Sequence, residues 1–296
     1  MTSVNLNIAN LLFQVRGGEE SKLIPDILGF APFLAPETDE KPHGQMIFGG
    51  EWTEDVEHEC TLFEFVFSDA DIRCRFSRTA SDYRFYMQPE DKVEETLRLV
   101  YKLDSSTIVC ATKNGQPCLN DTMLRYGLWF GFVLVCAENN RTLIHSSTIV
   151  HHHGAVLFLG ESGTGKSTHT RLWLKHIEDS HLLNDDCPVL ACEDGQMMVY
   201  GSPWSGKTAC FHNRRFPLKG VVRLSQAPEN KIRRLPVIES FMALQPSCPP
   251  ALAYDDILSG RMIDLISQTI RLTPVYHLAC LPDESAAQLS CNTLFQ

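Results

Sequence analysis

A glycine-rich segment in the middle of the chain has the residue types and spacing of a phosphate-binding loop. It matches the pattern G-x-x-x-x-G-K-[ST] through Gly160, Glu161, Ser162, Gly163, Thr164, Gly165, Lys166, Ser167 and Thr168. Glycines allow backbone conformations closed to residues with a Cβ, so the N–H groups can line an anion-binding concavity. Lys166 would reach the β- and γ-phosphates, and the Ser167 hydroxyl would bind Mg²⁺. The segment predicts a nucleotide-binding site. It does not distinguish between a kinase, an ATPase and a nucleotide-dependent switch.

Two adjacent carboxylates follow about twenty residues after the lysine. Asp185 and Asp186 end a short predicted strand that begins at His181. Strand ends on this side of an α/β sheet face the same crevice as a phosphate loop. One carboxylate can therefore hold Mg²⁺, directly or through water, while the other accepts a proton from an attacking hydroxyl. The alternative is a solvated turn or a helix cap.

Further candidate side chains lie before and after these motifs. His145 falls on a predicted strand over residues 141–150, where a satisfied structural histidine is the alternative. Lys207 ends a loop over residues 201–207 and could donate to an anion; the alternative is a tight turn around a packed tryptophan. Positive charge near a transferred phosphoryl group could also come from one or two arginines. The candidates are Arg214, Arg215, Arg223, Arg233 and Arg234.

Three consecutive histidines, residues 151–153, make a poor metal chelate because neighbours on an extended chain point to opposite faces.

The elements that would position these residues follow from apolar periodicity. Residues 155–159 predict a buried strand and residues 169–176 a helix, giving the strand, loop and helix that the motif needs. Further on, we expect a hairpin (188–192 and 197–200), a strand (220–224), a helix (255–272), a strand (274–281) and a final helix from Asp283 or Ser285. A buried helix is expected from Asn120 or Asp121 to about residue 137.

The first 118 residues favour β-structure. An apolar stretch spans residues 5–15, and alternation at 61–67, 72–76, 83–87 and 107–111 predicts a half-exposed antiparallel sheet, with loops over residues 20–60. The predicted fold class is α/β (α+β). A smaller β-rich region of unknown role, residues 1–140, would precede a phosphate-loop domain over residues 141–296.

Composition narrows the classes of partner. The chain has 296 residues and a formal net charge of −10, which disfavours non-specific binding to nucleic acid or anionic membranes. Eleven cysteines without C-x-x-C spacing favour a reducing compartment. No secretory signal is visible, and the longest apolar stretch, residues 128–137, is too short to cross a bilayer. We therefore expect a cytoplasmic protein without nucleic-acid or membrane partners.

Together these motifs resemble the catalytic domain of HPr kinase/phosphorylase and, more distantly, phosphoenolpyruvate carboxykinase. The resemblance covers about residues 141–282 and includes the Pro-Trp-Ser-Gly-Lys loop and an Ala227-Pro-Glu-Asn230 stretch. It implies a mixed sheet around the phosphate loop, Asp186 as general base toward a serine hydroxyl, Asp185 as a metal or orienting partner, and His145 near the active site.

The resemblance leaves the acceptor and the nucleotide open. The sequence lacks the Leu-Glu-Ile-Arg-Gly-Leu-Gly signature of HPr kinase, so the acceptor could be a serine of a small protein or peptide, or a small molecule. ATP with Mg²⁺ is the predicted pair, GTP is the alternative, and homo-oligomers are compatible with the sequence. A nucleotide-binding sensor without turnover and a carboxykinase-like lyase are the alternative functions.

Overall fold

Alternating apolar residues in the first part of the chain build a large sheet. The structure is a computed structural model that describes residues 2–53, 58–67, 70–103, 105–206 and 208–295. Residues 1–139 and 140–296 form two separate units. The first sheet contains β1 (Ser3–Ile8), β2 (Leu11–Arg16), β3 (Leu34–Ala35), β4 (Gly44–Phe48), β5 (Cys60–Phe67), β6 (Ile72–Arg78), β7 (Asp82–Pro89), β8 (Leu97–Lys102) and β9 (Thr107–Thr112), in the order β3-β1-β2-β4-β9-β8-β7-β6-β5.

This first sheet is mixed rather than purely antiparallel. Strands β5 to β9 are antiparallel, as predicted for the four of them that the sequence identified, and β8 was not predicted. Strand β4, however, runs parallel to both of its neighbours, β2 and β9. The prediction of loops over residues 20–60 was therefore wrong at β4, and a short helix, α1 (Glu20–Leu23), also lies there. The stretch at residues 5–15 is a hairpin that turns at Ala9 and Asn10, both with positive φ.

The predicted apolar helix covers one face of this sheet. Helix α2 (Asp121–Glu138) starts where the side chain of Asn120 accepts a hydrogen bond from the Met123 N–H, at 3.1 Å. Its Phe130 stacks on Phe85 of β7 with ring centroids 3.8 Å apart. Because such apolar burial is the main favourable term in folding, α2 and the sheet face beneath it form the core of the first unit.

The second unit is a mixed sheet with helices. It contains β10 (Arg141–Leu143), β11 (Ser146–His151), β12 (Gly154–Leu159), β13 (His181–Asp186), β14 (Val189–Glu193), β15 (Gln196–Tyr200), β16 (Arg215–Gln226), β17 (Lys231–Arg234) and β18 (Val275–Cys280). Its helices are α3 (Lys166–His176), α4 (Val237–Leu244), α5 (Asp256–Leu272) and α6 (Glu284–Leu294). The fold is therefore α/β with mixed sheets, as predicted.

Strand direction in the second sheet places two important strand ends at one edge. Strand β11 is antiparallel to both β12 and β13 and lies between them, so β12 and β13 run in the same direction. On its other side β12 is parallel to β16, and β16 is parallel to β18. The carboxyl ends of β12, β13, β16 and β18 consequently lie at the same edge of the sheet. Strand β12 precedes the glycine-rich loop, and β13 ends in Asp185 and Asp186.

Helix starts agree with the sequence prediction where an aspartate caps the helix. Asp255 caps α5 and Asp283 caps α6, each accepting backbone N–H groups of its helix. Helix α3 starts at Lys166, three residues earlier than predicted, because Gly165 occupies its N-cap with φ 110°. The prediction of one continuous strand over residues 141–150 was wrong. The chain leaves the strand conformation at Ile144 and His145, whose N–H groups donate to Pro188 O and Ser247 O.

No helix among the described residues is both long and apolar enough to cross a membrane.

Candidate functional site

The predicted phosphate loop, residues 160–168, has the backbone conformation that its glycines predict. Gly160, Gly163 and Gly165 have φ values of 153°, 81° and 110°. A Cβ at Gly163 or Gly165 would meet no atom within 4 Å, so backbone conformation rather than crowding requires glycine there. The loop leads directly into the N-terminus of α3, whose first N–H groups lack partners within the helix. This arrangement offers a concentration of donors and partial positive charge to an anion.

Lys166 is folded across the loop. Its Nζ donates to Gly160 O at 2.7 Å and to Glu161 O at 3.4 Å. Burial lowers the pKa of the Lys166 ammonium, against the opposing charges of Asp186 and Asp185. The lysine is thus held by two carbonyls, which a phosphate oxygen would replace as its partners.

Ser167 and Asp185 are brought into direct contact. The Ser167 hydroxyl donates to Asp185 Oδ1 at 3.1 Å, from the first turn of α3 to the end of β13. Asp185 is almost fully buried, and its carbonyl accepts the Gly206 N–H at 2.7 Å. A hydroxyl and a carboxylate at this spacing are oxygen ligands of the kind that Mg²⁺ prefers, completed by substrate phosphates and water. The two residues therefore fit the magnesium site that the sequence predicts.

Asp186 has a strained backbone and a half-exposed side chain. Its φ is 154°, a value that residues with a Cβ rarely adopt, and it is bridged to Ser205 in the loop after β15. Such strain persists only where the surrounding structure enforces it, and it clusters at functional sites. The strained backbone therefore makes Asp186, rather than the buried Asp185, the stronger candidate for a functional carboxylate.

His145 lies beside that carboxylate at the break between β10 and β11. Its Nε2 is 3.4 Å from Asp186 Oδ1, and both side chains are 49% exposed. Burial and the charge of Lys166 lower the pKa of His145, against the opposing effect of the two carboxylates. A neutral imidazole next to Asp186 can orient the carboxylate and accept a proton from it.

A buried asparagine that the sequence did not single out holds the loop after β15 against the acid pair. Asn184 is fully buried; its Nδ2 donates to Trp204 O at 3.0 Å and its Oδ1 accepts the Cys187 N–H at 2.8 Å. In the sequence, Asn184 stands between an apolar strand residue and two acids. This position does not indicate which groups its amide would bind. Asn184 therefore acts as a positioning residue for the edge of the sheet that carries Asp185 and Asp186.

Replacing Asn184 with alanine is expected to lower the free energy of unfolding by about 2–4 kcal/mol. The substitution leaves the buried Cys187 N–H without its partner, which costs about 1–3 kcal/mol. It also removes one of the two hydrogen bonds to the Trp204 carbonyl, worth about 0.5–1.5 kcal/mol, while the bond from Ser202 Oγ remains. Urea denaturation followed by circular dichroism measures the change. Asn292→Ala, at an exposed position of α6, is the matched control and should stay within about 0.5 kcal/mol of wild type. Equal losses for the two variants would contradict this role.

The remaining predicted residues are dispersed. Lys207 lies outside the described residues, so its contact with an anion stays a prediction. Among the five arginines, Arg223 approaches the loop: its Nη2 is 4.0 Å from Glu161 Oε1. Arg215 and Arg233 pair with Glu193 and Glu239, and Arg214 lies over the Phe216 ring.

The histidine triplet gives no metal site among the described residues. The histidine triplet spans the end of β11 and the turn to β12. Across the described part of the chain, no three His, Cys, Asp or Glu side chains form a group that could hold a metal ion. The magnesium site proposed at Ser167 and Asp185 differs in kind, since phosphates and water would supply most of its ligands.

A cavity of about 650 Å³ opens beside the glycine-rich loop. It is lined by Gly163, Thr164, Gly165, Thr168, His169, Leu172, Leu224, Gln226, Ala227, Cys280, Leu281 and Pro282. The walls from α3, β16 and β18 are mainly apolar, while the loop supplies backbone polar groups. A cavity of this size and character can hold a planar ring system next to the phosphate loop.

Comparison with known proteins gives a distant structural likeness. No protein-family model matches the chain, and no curated protein matches its sequence. Among solved structures, that of the Hpr(Ser) kinase/phosphatase from Coxiella burnetii is similar over 51% of this chain and 92% of its own, with 14% sequence identity and a TM-score of 0.29. A TM-score this low supports no conclusion about fold or activity, so the chemistry rests on the geometry of the site.

Proposed function

We propose that the protein is a Mg²⁺-ATP-dependent phosphotransferase that acts on a hydroxyl group. One observation carries the proposal: a single sheet edge holds a phosphate loop, a serine–carboxylate pair in contact, and a second carboxylate beside a histidine. Phosphoryl transfer needs phosphate positioning, charge neutralisation and a group that accepts the hydroxyl proton. Each requirement has a candidate at this edge.

The nucleotide would lie across the loop. Its phosphates would accept hydrogen bonds from the loop and the first turn of α3, and Lys166 would exchange the Gly160 carbonyl for a phosphate oxygen. The base and ribose would occupy the 650 Å³ cavity between α3 and the ends of β16 and β18. Arg223, next to the loop, is the arginine best situated to offset phosphate charge.

The metal and the acceptor would lie beside the acid pair, whose residues do not line this cavity. Ser167 and Asp185 would hold Mg²⁺, which when bound neutralises charge on the phosphates. Asp186 would take the proton from the acceptor hydroxyl, with His145 keeping its carboxylate oriented. This division of roles matches the HPr kinase-like family that the sequence resembles. The acceptor is a serine of a protein or peptide, or a small-molecule alcohol.

Transfer of label from γ-labelled ATP tests the proposal. The chain is incubated with Mg²⁺, ATP and candidate serine peptides or alcohols, and labelled product is expected with wild type but not with Lys166→Ala. Lys175→Ala, which removes another lysine of the same helix, should behave as wild type. Tight ATP binding without any transfer would favour the sensor instead, and nucleotide turnover that depends on oxaloacetate would favour the lyase. Failure of wild type to bind nucleotide would overturn the proposal.

A further inference from the structure

The sheet of the first unit carries an arginine-rich patch on the face opposite α2. Arg75, Tyr86 and Arg98 are cross-strand neighbours in one row of β6, β7 and β8, and Ser77 and Arg84 are neighbours in the next row. Since residues directly opposite in adjacent strands share a face, these five side chains are grouped together. With Trp52 and Glu59, which lie against them, they are called the arginine face.

Aromatic rings hold two of the guanidinium groups in place. The Arg98 guanidinium carbon lies 4.7 Å from the centre of the Trp52 ring, and that of Arg75 lies 4.3 Å from the centre of the Tyr86 ring. Arg98 also donates through Nη1 to Thr53 O at 2.7 Å. Stacked and tethered guanidinium groups lose little further freedom when they bind a ligand.

Several polar atoms of the arginine face are buried without a hydrogen-bond partner among the described residues. They are Trp52 Nε1, Glu59 Oε1, Ser77 Oγ, Arg84 Nη1 and Arg98 Nε. Arg98 is 4% exposed and Arg84 is 8% exposed. Buried polar groups in folded proteins are almost always paired, so such a concentration indicates a water, ion or ligand that completes them.

Charge identifies the kind of ligand. Among the described residues, Asp82 binds Arg84 Nε at 2.7 Å, and the oxygens of Glu59 lie 3.7 Å from Arg75 and Arg84. Arg75 also has Glu64 opposite it on β5. Arg98, which is 4% exposed, forms no ion pair in this part of the chain, and an uncompensated charge in a buried place is costly.

We propose that the arginine face binds a small oxyanion that also carries a hydroxyl donor, namely hydrogen phosphate or a phosphate monoester. The anionic oxygens accept from Arg98 Nε and Trp52 Nε1, and the hydroxyl donates to Glu59 Oε1, which accepts no hydrogen bond from the described residues. The ligand enters beside Arg75, whose side chain is 42% exposed. The site lies wholly within the first unit and is independent of the phosphotransferase proposal.

Arginine Nε–H resonances in the full chain test the site directly. Inorganic phosphate, phosphoserine and acetate are titrated into ¹⁵N-labelled protein carrying Lys166→Ala, so that the phosphate loop does not contribute. The Arg98 Nε–H signal, assigned by its loss in Arg98→Lys, is expected to shift saturably with phosphate and phosphoserine. Acetate should bind about tenfold more weakly, since it brings no donor for Glu59.

Two further variants separate ligand binding from folding. Trp52→Phe keeps a ring beneath Arg98 but removes the indole N–H, so phosphate should bind about tenfold more weakly. Arg73→Gln removes an exposed arginine two positions from Arg75 on the same strand, and should bind within about twofold of the parent. An Arg98 signal unmoved by phosphate, or equal affinities for parent and Trp52→Phe, would overturn the proposal. Equal binding of acetate and phosphate would show that the assigned ligand class is wrong.

Discussion

Replacing Asp186 with asparagine is expected to slow phosphoryl transfer by about 10²–10⁴, the range over which a positioned general base contributes. The amide has nearly the same shape as the carboxylate, yet it has no charge and accepts no proton from the acceptor hydroxyl. Nucleotide affinity should stay close to wild type, because the phosphate loop and the contact between Ser167 and Asp185 are unchanged. Single-turnover label transfer and calorimetric nucleotide binding measure the two quantities.

Two further variants test the roles of the Asp186 carboxylate and of its backbone strain separately. Asp186→Gly should lose the same activity and yet unfold about 1 kcal/mol less readily. Relief of strain at φ 154° is worth about 1–3 kcal/mol, while the greater freedom of unfolded glycine costs about 0.5–1 kcal/mol. Asp179→Asn, at an exposed position after α3, should transfer as wild type. Wild-type transfer by Asp186→Asn would show that another group takes the proton, and a less stable Asp186→Gly would mean that the backbone there is unstrained.

Acid is expected to remove about 3 kcal/mol of stability through one buried histidine of the phosphate-loop helix. His169 on α3 lies next to Ser290 of α6, with Nε2 3.1 Å from the hydroxyl, and Trp173 Nε1 donates to the same hydroxyl at 2.9 Å. Burial lowers the pKa of His169 to about 4, against about 6.5 for an unfolded histidine. The folded chain thus favours the neutral ring. This stability is fully present above pH 6.5 and is lost as the pH falls from about 6.5 to about 4.

Urea denaturation at pH 7 and pH 4.5 measures the loss. His169→Gln, which cannot take up a proton in this range, should retain about 2–3 kcal/mol more of its own pH 7 stability at pH 4.5 than wild type does. Burial also lowers the pKa of His151, His181 and His277, so wild type loses additional stability that this variant shares. His212→Gln, which replaces an exposed histidine, is the control. If His169→Gln and wild type lose equal stability in acid, the ring is accessible to protons when folded.

Local chemistry explains which parts of the structure could be predicted. The phosphate loop requires glycine at particular backbone angles, and the capped helices α2, α5 and α6 start at side chains that bond their own first turn. These signals lie within a few residues of the feature that they define. The contact between Ser167 and Asp185 was likewise foreseeable, because a single helix and strand separate the two residues.

Features that depend on distant partners were missed for a physical reason. Strand β4 sits within a segment rich in Pro, Gly and acids, and it is a strand because β2 and β9 flank it. Strand 141–150 breaks at His145 because its N–H bonds to Ser247, about a hundred residues away. The role of Asn184 and the grouping of Arg75 with Arg98 depend on loop docking and strand register, which residue types alone do not encode.

The hydrogen bond from Trp173 to Ser290 has a consequence for synthesis of the chain on the ribosome. The two residues are 117 positions apart, although their helices pack together around the phosphate-loop core. At about 5–20 residues per second, the ribosome needs on the order of ten seconds to make the second partner after the first. During that interval the nascent α3 presents its large indole without α6. A ribosome stalled between the two helices would therefore hold a nucleotide loop whose supporting core is incomplete, a natural target for chaperones that bind exposed aromatic residues.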